Sequence, residues 1–340
     1  LVEVKKEFFM EIKVVDVQSH VFPKDYAELL CKSKSKVRGT KITENKYAVD
    51  YFNGMYTFYI DLEKYEPDLI LEKMEKSKID AGLISVNIPT PDLLDEELRL
   101  VGSQICNDYI ESLCNKYPKK FFGLANIAIN NPTNSISELN RCLQKSNLFK
   151  GAFVSSHINE KNLDDPEFFE FYAQLEARGI PLVLHPTVPA WGDVIKDYSL
   201  IPMMGFMVDT SIALMRLILS GTLDKYPELK IVQPHLGGIL PYIMGRIQEQ
   251  IEVKKRGNAN IKKEIKSYFK NIYFDLVSPS DEAIEFAKAF VGSKNLMFAT
   301  DHPWIEMDSM VNYAHKMNVS PEERDDIMGS NASKLFSLKS

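Results

Sequence analysis

Five of the six histidines in this 340-residue chain lie at or beside the ends of short apolar runs. The run in "VVDVQSHVFP" (14–23) stops at Gln18-Ser19-His20. "PLVLH" ends on His185, "KIVQPH" on His235, and "NLMFAT" gives way to Asp301-His302, while His157 follows "GAFVSS". Side chains alternate along a strand, so Gln18 and His20 are expected on the same side of theirs. Two donors aimed at one point from a strand's end make half of a metal site. A histidine or a carboxylate is the ordinary choice for the first of them. The glutamine found here offers only an amide oxygen, a weak, uncharged, hard donor.

Such residues need elements to hold them. Apolar, β-rich runs at 12–17, 82–88, 122–129, 151–156, 181–185, 230–235, 271–276 and 295–300 read as eight strands. Amphipathic segments at 67–79, 94–117, 133–146, 166–178, 209–224, 239–253, 281–290 and 307–317 read as the helices between them. Start signals support several of these, for example "LDDPEFFEFYAQLEARG", where Asp precedes Pro and Gly179 ends the segment. Eight βα units predict an α/β fold of the (β/α)8 TIM-barrel type, in which chemistry gathers at the C-terminal ends of the strands. The candidate residues cluster at that rim. Histidines placed for packing alone would not. The longest connection, about 24–66, carries "KYAVDYFNGMYTFYI", alternating aromatic and polar residues around Asn53-Gly54, and predicts a hairpin in the first βα loop that either caps a flat, unsaturated substrate at the rim or packs on the barrel or a partner subunit.

Hydrophobic residues at 45% and charged residues at 26% give globular composition, and the net charge of −6 provides no footprint for nucleic acid. Four cysteines without a CxxC read as free thiols of a reducing, cytoplasmic setting. No apolar run approaches the ~20 residues of a membrane span. The opening "LVEVKKEFFM" lacks a signal-peptide core, so residues 1–9 are read as an extension and 10–340 as one domain.

At this point the motifs resemble a known family. "DVQSHVFP", "LEARGIPLVLHP", "DTSIALMRLILSGTLDKYPELKIVQPHLGGILPYIMGR", "LMFATDHPW" and "IMGSNASKLF" follow, in order, the pattern of the amidohydrolase superfamily. The branch is that of aminocarboxymuconate-semialdehyde and resorcylate decarboxylases. The resemblance implies one divalent metal held by Gln18, His20, His185 and Asp301, with His235 and Asp301 as the acid/base residues. It also implies a homodimer in which Arg246 reaches a neighbour's substrate carboxylate. Zinc is the metal expected, with manganese or magnesium as alternatives because Gln18 dilutes the nitrogen character of the site. Three roles stay open for Gln18: a weak ligand, a hydrogen-bonding neighbour of a three-ligand metal, or the mark of a lost metal. The end of strand 4, "VSSHIN", has no lysine to bridge two ions, and Lys150 lies at the strand's other end, so one metal is expected.

Among the remaining candidates, His157, Trp191 and Arg38 are substrate-contact candidates. Each also has a plain reading: a hydrogen-bonded rim residue, a packing residue and a solvated surface residue. Asp209 is either a helix cap or a supporting residue. The resemblance implies non-oxidative decarboxylation of a small unsaturated or aromatic carboxylic acid. Hydrolysis or hydration by the same metal site is the alternative, and a metal-free barrel with a binding role is the third reading. No nucleic-acid or membrane partner is expected.

Overall fold

Eight parallel strands run in chain order around one sheet: Val15–Val21, Ala81–Val86, Phe121–Asn126, Phe149–Ser155, Leu182–His185, Ile231–Gln233, Ile272–Asp275 and Leu296–Met297, hereafter strands 1 to 8. The computed structural model describes residues 12–338 apart from 146 and 160; the extension read over 1–9 lies outside the described residues. The ring closes between its first and last strands through backbone hydrogen bonds, Val17 N to Phe298 O at 3.1 Å, Asp301 N to Gln18 O at 2.8 Å and His20 N to His302 O at 3.0 Å. The chain is therefore a TIM barrel.

Inward positions follow the two-residue period. Val15, Val17, Leu83, Leu124, Phe153 and Met297 belong to one buried interior cluster, which Ala332, Leu335 and Phe336 of the last helix close from below. Fully burying one such side chain is worth about 1.5–3 kcal/mol. Continuing the same inward rows to the strand ends brings Ser85, Asn87, Ser155, His185 and Asp301 to one mouth. The outward rows, including Ile84, Val154, Leu184, Ile231 and Phe274, pack under the helix layer.

The helices agree with the sequence expectation to within a few residues. Pro67–Lys76, Glu96–Lys116, Pro132–Lys145, Phe169–Arg178, Asp281–Val291 and Met307–Lys316 all form. The segment expected at 209–224 instead begins at Phe206 and runs to Leu219, so Asp209 lies within its first turn and does not cap it. Helical turns upstream extend this into Asp197–Leu219, which is long and apolar enough to cross a membrane by length and composition. This corrects the expectation that no apolar run approaches the length of a span: Pro202 and Asp209 break the apolar pattern, but helical turns continue through them. Just over half of its apolar window is buried within the fold, as in a core helix.

Between strand 1 and its helix, Val37–Lys41, Lys46–Tyr51 and Tyr56–Asp61 form a three-stranded antiparallel sheet. Its hairpin turns at Phe52–Met55, where Asn53 has φ 60° and Gly54 has φ 89°, the left-handed region those residue types tolerate. Tyr51 faces Tyr56 and Val49 faces Phe58 across the inner side of this sheet, while Arg38 stands opposite Asp50 on the outer side. Tyr56 and Phe58 are thereby brought to the barrel mouth.

Candidate active site

Simple alternation does not explain how Gln18 and His20 meet. Val15 and Val17 face the interior, so an undistorted strand would turn Gln18 and His20 away. The pairing with strand 2 slips by one residue between Asp16 and Ser19, and this bulge turns both side chains inward. Asp16 anchors the bulge. Its buried carboxylate accepts from Gln18 N at 3.1 Å, Thr300 N at 3.0 Å and Thr300 Oγ1 at 2.5 Å.

Both side chains converge on Asp301. Gln18 Nε2 donates to Asp301 Oδ1 at 3.0 Å, and His20 Nε2 lies 3.1 Å from the same oxygen. The other nitrogen of His20 is 3.0 Å from Ser85 Oγ. His185 Nδ1 donates to the Pro186 carbonyl at 2.8 Å, which leaves its Nε2 lone pair directed into the site. The two imidazoles stand edge to face, 4.8 Å between centroids. One donor atom each from His20, His185 and Asp301 lies within 4.8 Å of the others. Burial, and then the neighbouring His20, hold the His185 ring well below its ordinary pKa, so it is a neutral donor. Two imidazole nitrogens and one carboxylate at this spacing fit a divalent cation.

His235 approaches from strand 6. It has φ 55° and Leu236 has φ 52°, a left-handed turn held by the bond from His235 N to Asp275 Oδ1 at 2.8 Å. Gly237 follows with φ 81°, and a Cβ there would sit 2.4 Å from the Phe274 ring. The turn brings His235 Nε2 to 3.6 Å from Asp301 Oδ2, an ion-pair distance longer than a hydrogen bond. Burial alone would lower the His235 pKa, but the Asp301 carboxylate outweighs it and holds the ring above its ordinary value. Burial likewise pushes Asp301 up, yet His20 and His235 hold it well below the usual carboxylate range. His235 Nδ1 is buried with no partner among the described residues.

Above these groups lies a cavity of about 440 Å³. Tyr56, Phe58, Trp304 and Ile305 form part of its wall, and Pro202, Met203, Phe206 and Met207 another. Phe58 and Trp304 are 5.4 Å apart between ring centroids. Polar lining comes from His185, His235, Asp301, Asn87 and Ser278.

Four further candidates stand outside this lining. His157 lies beside it, buried, with Nδ1 2.8 Å from Asp209 Oδ2; Ser156 donates to the same oxygen. Arg38 faces outward, 3.8 Å from Asp50. Trp191, 37% exposed, precedes the short turn Gly192–Ile195. Arg246 is exposed on the last turn of helix Leu240–Gln248. Lys150 is at the opposite end of strand 4, bonded to the Ser337 carbonyl at 3.2 Å.

Sequence reasoning placed the aromatic hairpin at the rim, and Tyr56 and Phe58 of it line the cavity, but it did not find Ser85, Asp275 or Asp16, nor the lining from Met207 and Ile305. Ser85 and Asp275 sit on inward rows at strand ends, a signal that was available; the others depend on the bulge and on loop packing.

The amidohydrolase family model matches residues 95–338. The chain is 26% identical to 2-amino-3-carboxymuconate-6-semialdehyde decarboxylase of Dictyostelium discoideum over 295 residues, 85% of this chain and 81% of that one. Among solved structures it resembles 5-carboxyvanillate decarboxylase LigW from Sphingomonas paucimobilis, with a TM-score of 0.85, 22% identity and coverage of 97% of this chain and 100% of that one. It also resembles the dihydroxybenzoic acid decarboxylase of Polaromonas sp. JS666, solved with manganese and the inhibitor 2-nitroresorcinol. There the TM-score is 0.80, identity is 24%, and 96% of this chain and 98% of that one are covered.

Proposed function

Because this chain belongs to the amidohydrolase family, we propose that it is a metal-dependent, non-oxidative decarboxylase of a small aromatic or unsaturated carboxylic acid. The convergence of His20, His185 and Asp301 beneath a largely apolar, aromatic-walled cavity carries this reading. The decarboxylases among its relatives add to it.

His20, His185 and Asp301 would hold the cation, with Gln18 bonded to Asp301. When bound, the ion supplies Lewis-acid charge that orients a carboxylate and a neighbouring oxygen. Ser85 and the Pro186 carbonyl keep both imidazoles aimed. The aromatic wall holds the ring flat and excludes water. As carbon dioxide leaves, the electron pair of the broken C–C bond stays on the ring carbon, which must take up a proton. His235, buried against Asp301, is the proposed donor, with Asp301 as the neighbouring acid/base group. Zinc or manganese suits two imidazoles and one carboxylate. We further propose a single domain over 10–340 and a cytoplasmic homodimer in which Arg246 meets the reacting carboxylate of a second copy; its exposure outside the cavity of its own chain is compatible with that role.

The test is an assay of metal-loaded protein against dihydroxybenzoates, aminomuconate-like acids and small lactones. Carbon dioxide release from an acid supports the proposal. Acid production from a lactone with no carbon dioxide from any acid overturns it in favour of hydrolysis.

A further inference from the structure

The turn that carries His235 is strained. His235, Leu236, Gly237 and Gly238 have φ of 55°, 52°, 81° and 62°, four left-handed residues in a row. Glycine takes that conformation freely, but histidine and leucine keep it only where their surroundings fix it. Asp275 pins the front of the turn, its Oδ1 accepting from His235 N at 2.8 Å. The pin behind it is Ser211.

Ser211 is buried on helix Phe206–Leu219 and has no part in the chemistry proposed above. Its Oγ donates to Met207 O at 2.7 Å, one helical turn back, and accepts from Ile239 N at 3.0 Å, directly after the strained turn. The fit is close: a Cβ at Gly238 would sit 2.4 Å from Ser211 Oγ and 2.6 Å from Met207 O. On its other flank the helix is tied to the end of strand 4, where Asp209 Oδ2 lies 2.8 Å from His157 Nδ1 and accepts from Ser156. The hydroxyl therefore rests on a fixed support. Met207, to which it donates, lines the cavity.

We infer that Ser211 is a positioning residue for His235: its hydroxyl ties the cavity wall at Met207 to the far end of the His235 turn and so fixes the ring beside Asp301. This rests on the reading of His235 as the proton donor. Transfer to one ring carbon requires the donor at hydrogen-bond reach of that carbon, and a small displacement is costly. Without the hydroxyl, Ile239 N loses this acceptor, and His235 and Leu236 lose one of the two constraints on their left-handed backbone. The proposed metal ligands stand on other strands and keep their places.

The experiment removes the bond in two ways. Ser211→Ala deletes the hydroxyl, and Ser211→Cys replaces it with a side chain of similar size whose sulfur is a weak acceptor, so that a void is not mistaken for a lost bond. Both are expected to lower kcat for carbon dioxide release at least tenfold, with KM and metal content within twofold of the parent protein. Ser211→Thr, which keeps the hydroxyl, is expected to stay within threefold. A double-mutant cycle separates positioning from plain stability. In the His235→Asn background, Ser211→Ala is expected to change kcat less than twofold, because nothing is left to position. An equal loss in both backgrounds, a loss confined to KM, or no loss overturns the inference. A second readout needs no turnover: the His235 ring signal in the magnetic resonance spectrum of zinc-loaded protein, identified by its absence in His235→Asn. It is expected to shift in the Ala and Cys variants and to stay in place in Ser211→Thr. An unmoved signal overturns the inference. A moved signal, with no carbon dioxide released from any acid by the parent protein, leaves the positioning role standing and removes the decarboxylase reading instead.

Discussion

Gln18 and Asp301, 283 positions apart in sequence, meet at the seam where the barrel closes: the Gln18 amide donates to Asp301 Oδ1 at 3.0 Å, and the Asp301 backbone N–H donates back to the Gln18 carbonyl at 2.8 Å. The closing hydrogen bonds and the metal-site geometry are one arrangement, so a change at position 18 acts on both. An imidazole there would add a nitrogen donor to a site with one anionic ligand. Gln18→His is expected to raise zinc affinity at least tenfold, measured by competition with a chromophoric chelator. Unchanged affinity would mean that the side chain at 18 does not reach the metal.

Ser85 is not among the proposed metal ligands, but it sits 3.0 Å from His20 Nδ1 and sets the ring's orientation. Ser85→Ala is expected to weaken metal binding by roughly tenfold to a hundredfold while the far-ultraviolet circular dichroism stays the same. An affinity equal to the parent protein would remove Ser85 from the site.

His235 and the proposed ligand histidines should separate in experiment. His235→Asn is expected to lower the rate of carbon dioxide release by about 10²–10⁴ with metal content unchanged, since the ring is proposed to move a proton. His20→Ala is expected to lose metal and activity together. Equal metal loss in both variants would make His235 a ligand.

Metal binding should also appear as stability. A cation that binds only the folded barrel, at a free concentration a hundred times its Kd, adds about 2.7 kcal/mol. Chelator treatment is expected to lower Tm by several degrees, and His185→Ala should abolish the difference between metal-loaded and metal-free protein.

Asp92 provides a pH signature away from the metal. Its carboxylate is fully buried with no hydrogen bond within 3.5 Å among the described residues, and burial, only partly offset by the nearby Thr90 hydroxyl, pushes its pKa up to about 6. The folded protein thus holds this proton more tightly than the unfolded chain, where the value is near 3.9. The associated stability is present below about pH 4 and is lost as pH rises through 6, a cost of about 3 kcal/mol at neutral pH. Asp92→Asn is expected to raise Tm at pH 7.5 and to flatten its dependence between pH 4.5 and 7.5. A parallel pH profile for the two proteins would mean that Asp92 titrates normally.

Much of this protein was legible along the chain. A strand is a local, apolar, two-residue pattern, and eight of them alternating with amphipathic segments are compatible with few architectures. The residues at the ends of these runs, His20, His185, His235 and Asp301, therefore point to a common rim from the sequence alone. Strand limits were less exact. The apolar pattern marks strand 1 at 12–17, whereas the strand spans Val15–Val21, because its last residues pair with strand 2 and with the segment after strand 8, contacts invisible to a local pattern. The slip between Asp16 and Ser19 is likewise a product of pairing, and it alone turns Gln18 and His20 inward. Only the tertiary structure set Arg38 and Trp191 apart from the cavity, chose between the hairpin as a cap and the hairpin as packing by turning Tyr56 and Phe58 to the cavity, and added Met207. Which face of an insertion sheet or a helix covers a barrel mouth depends on packing between segments far apart in sequence, and no short stretch of residues encodes it.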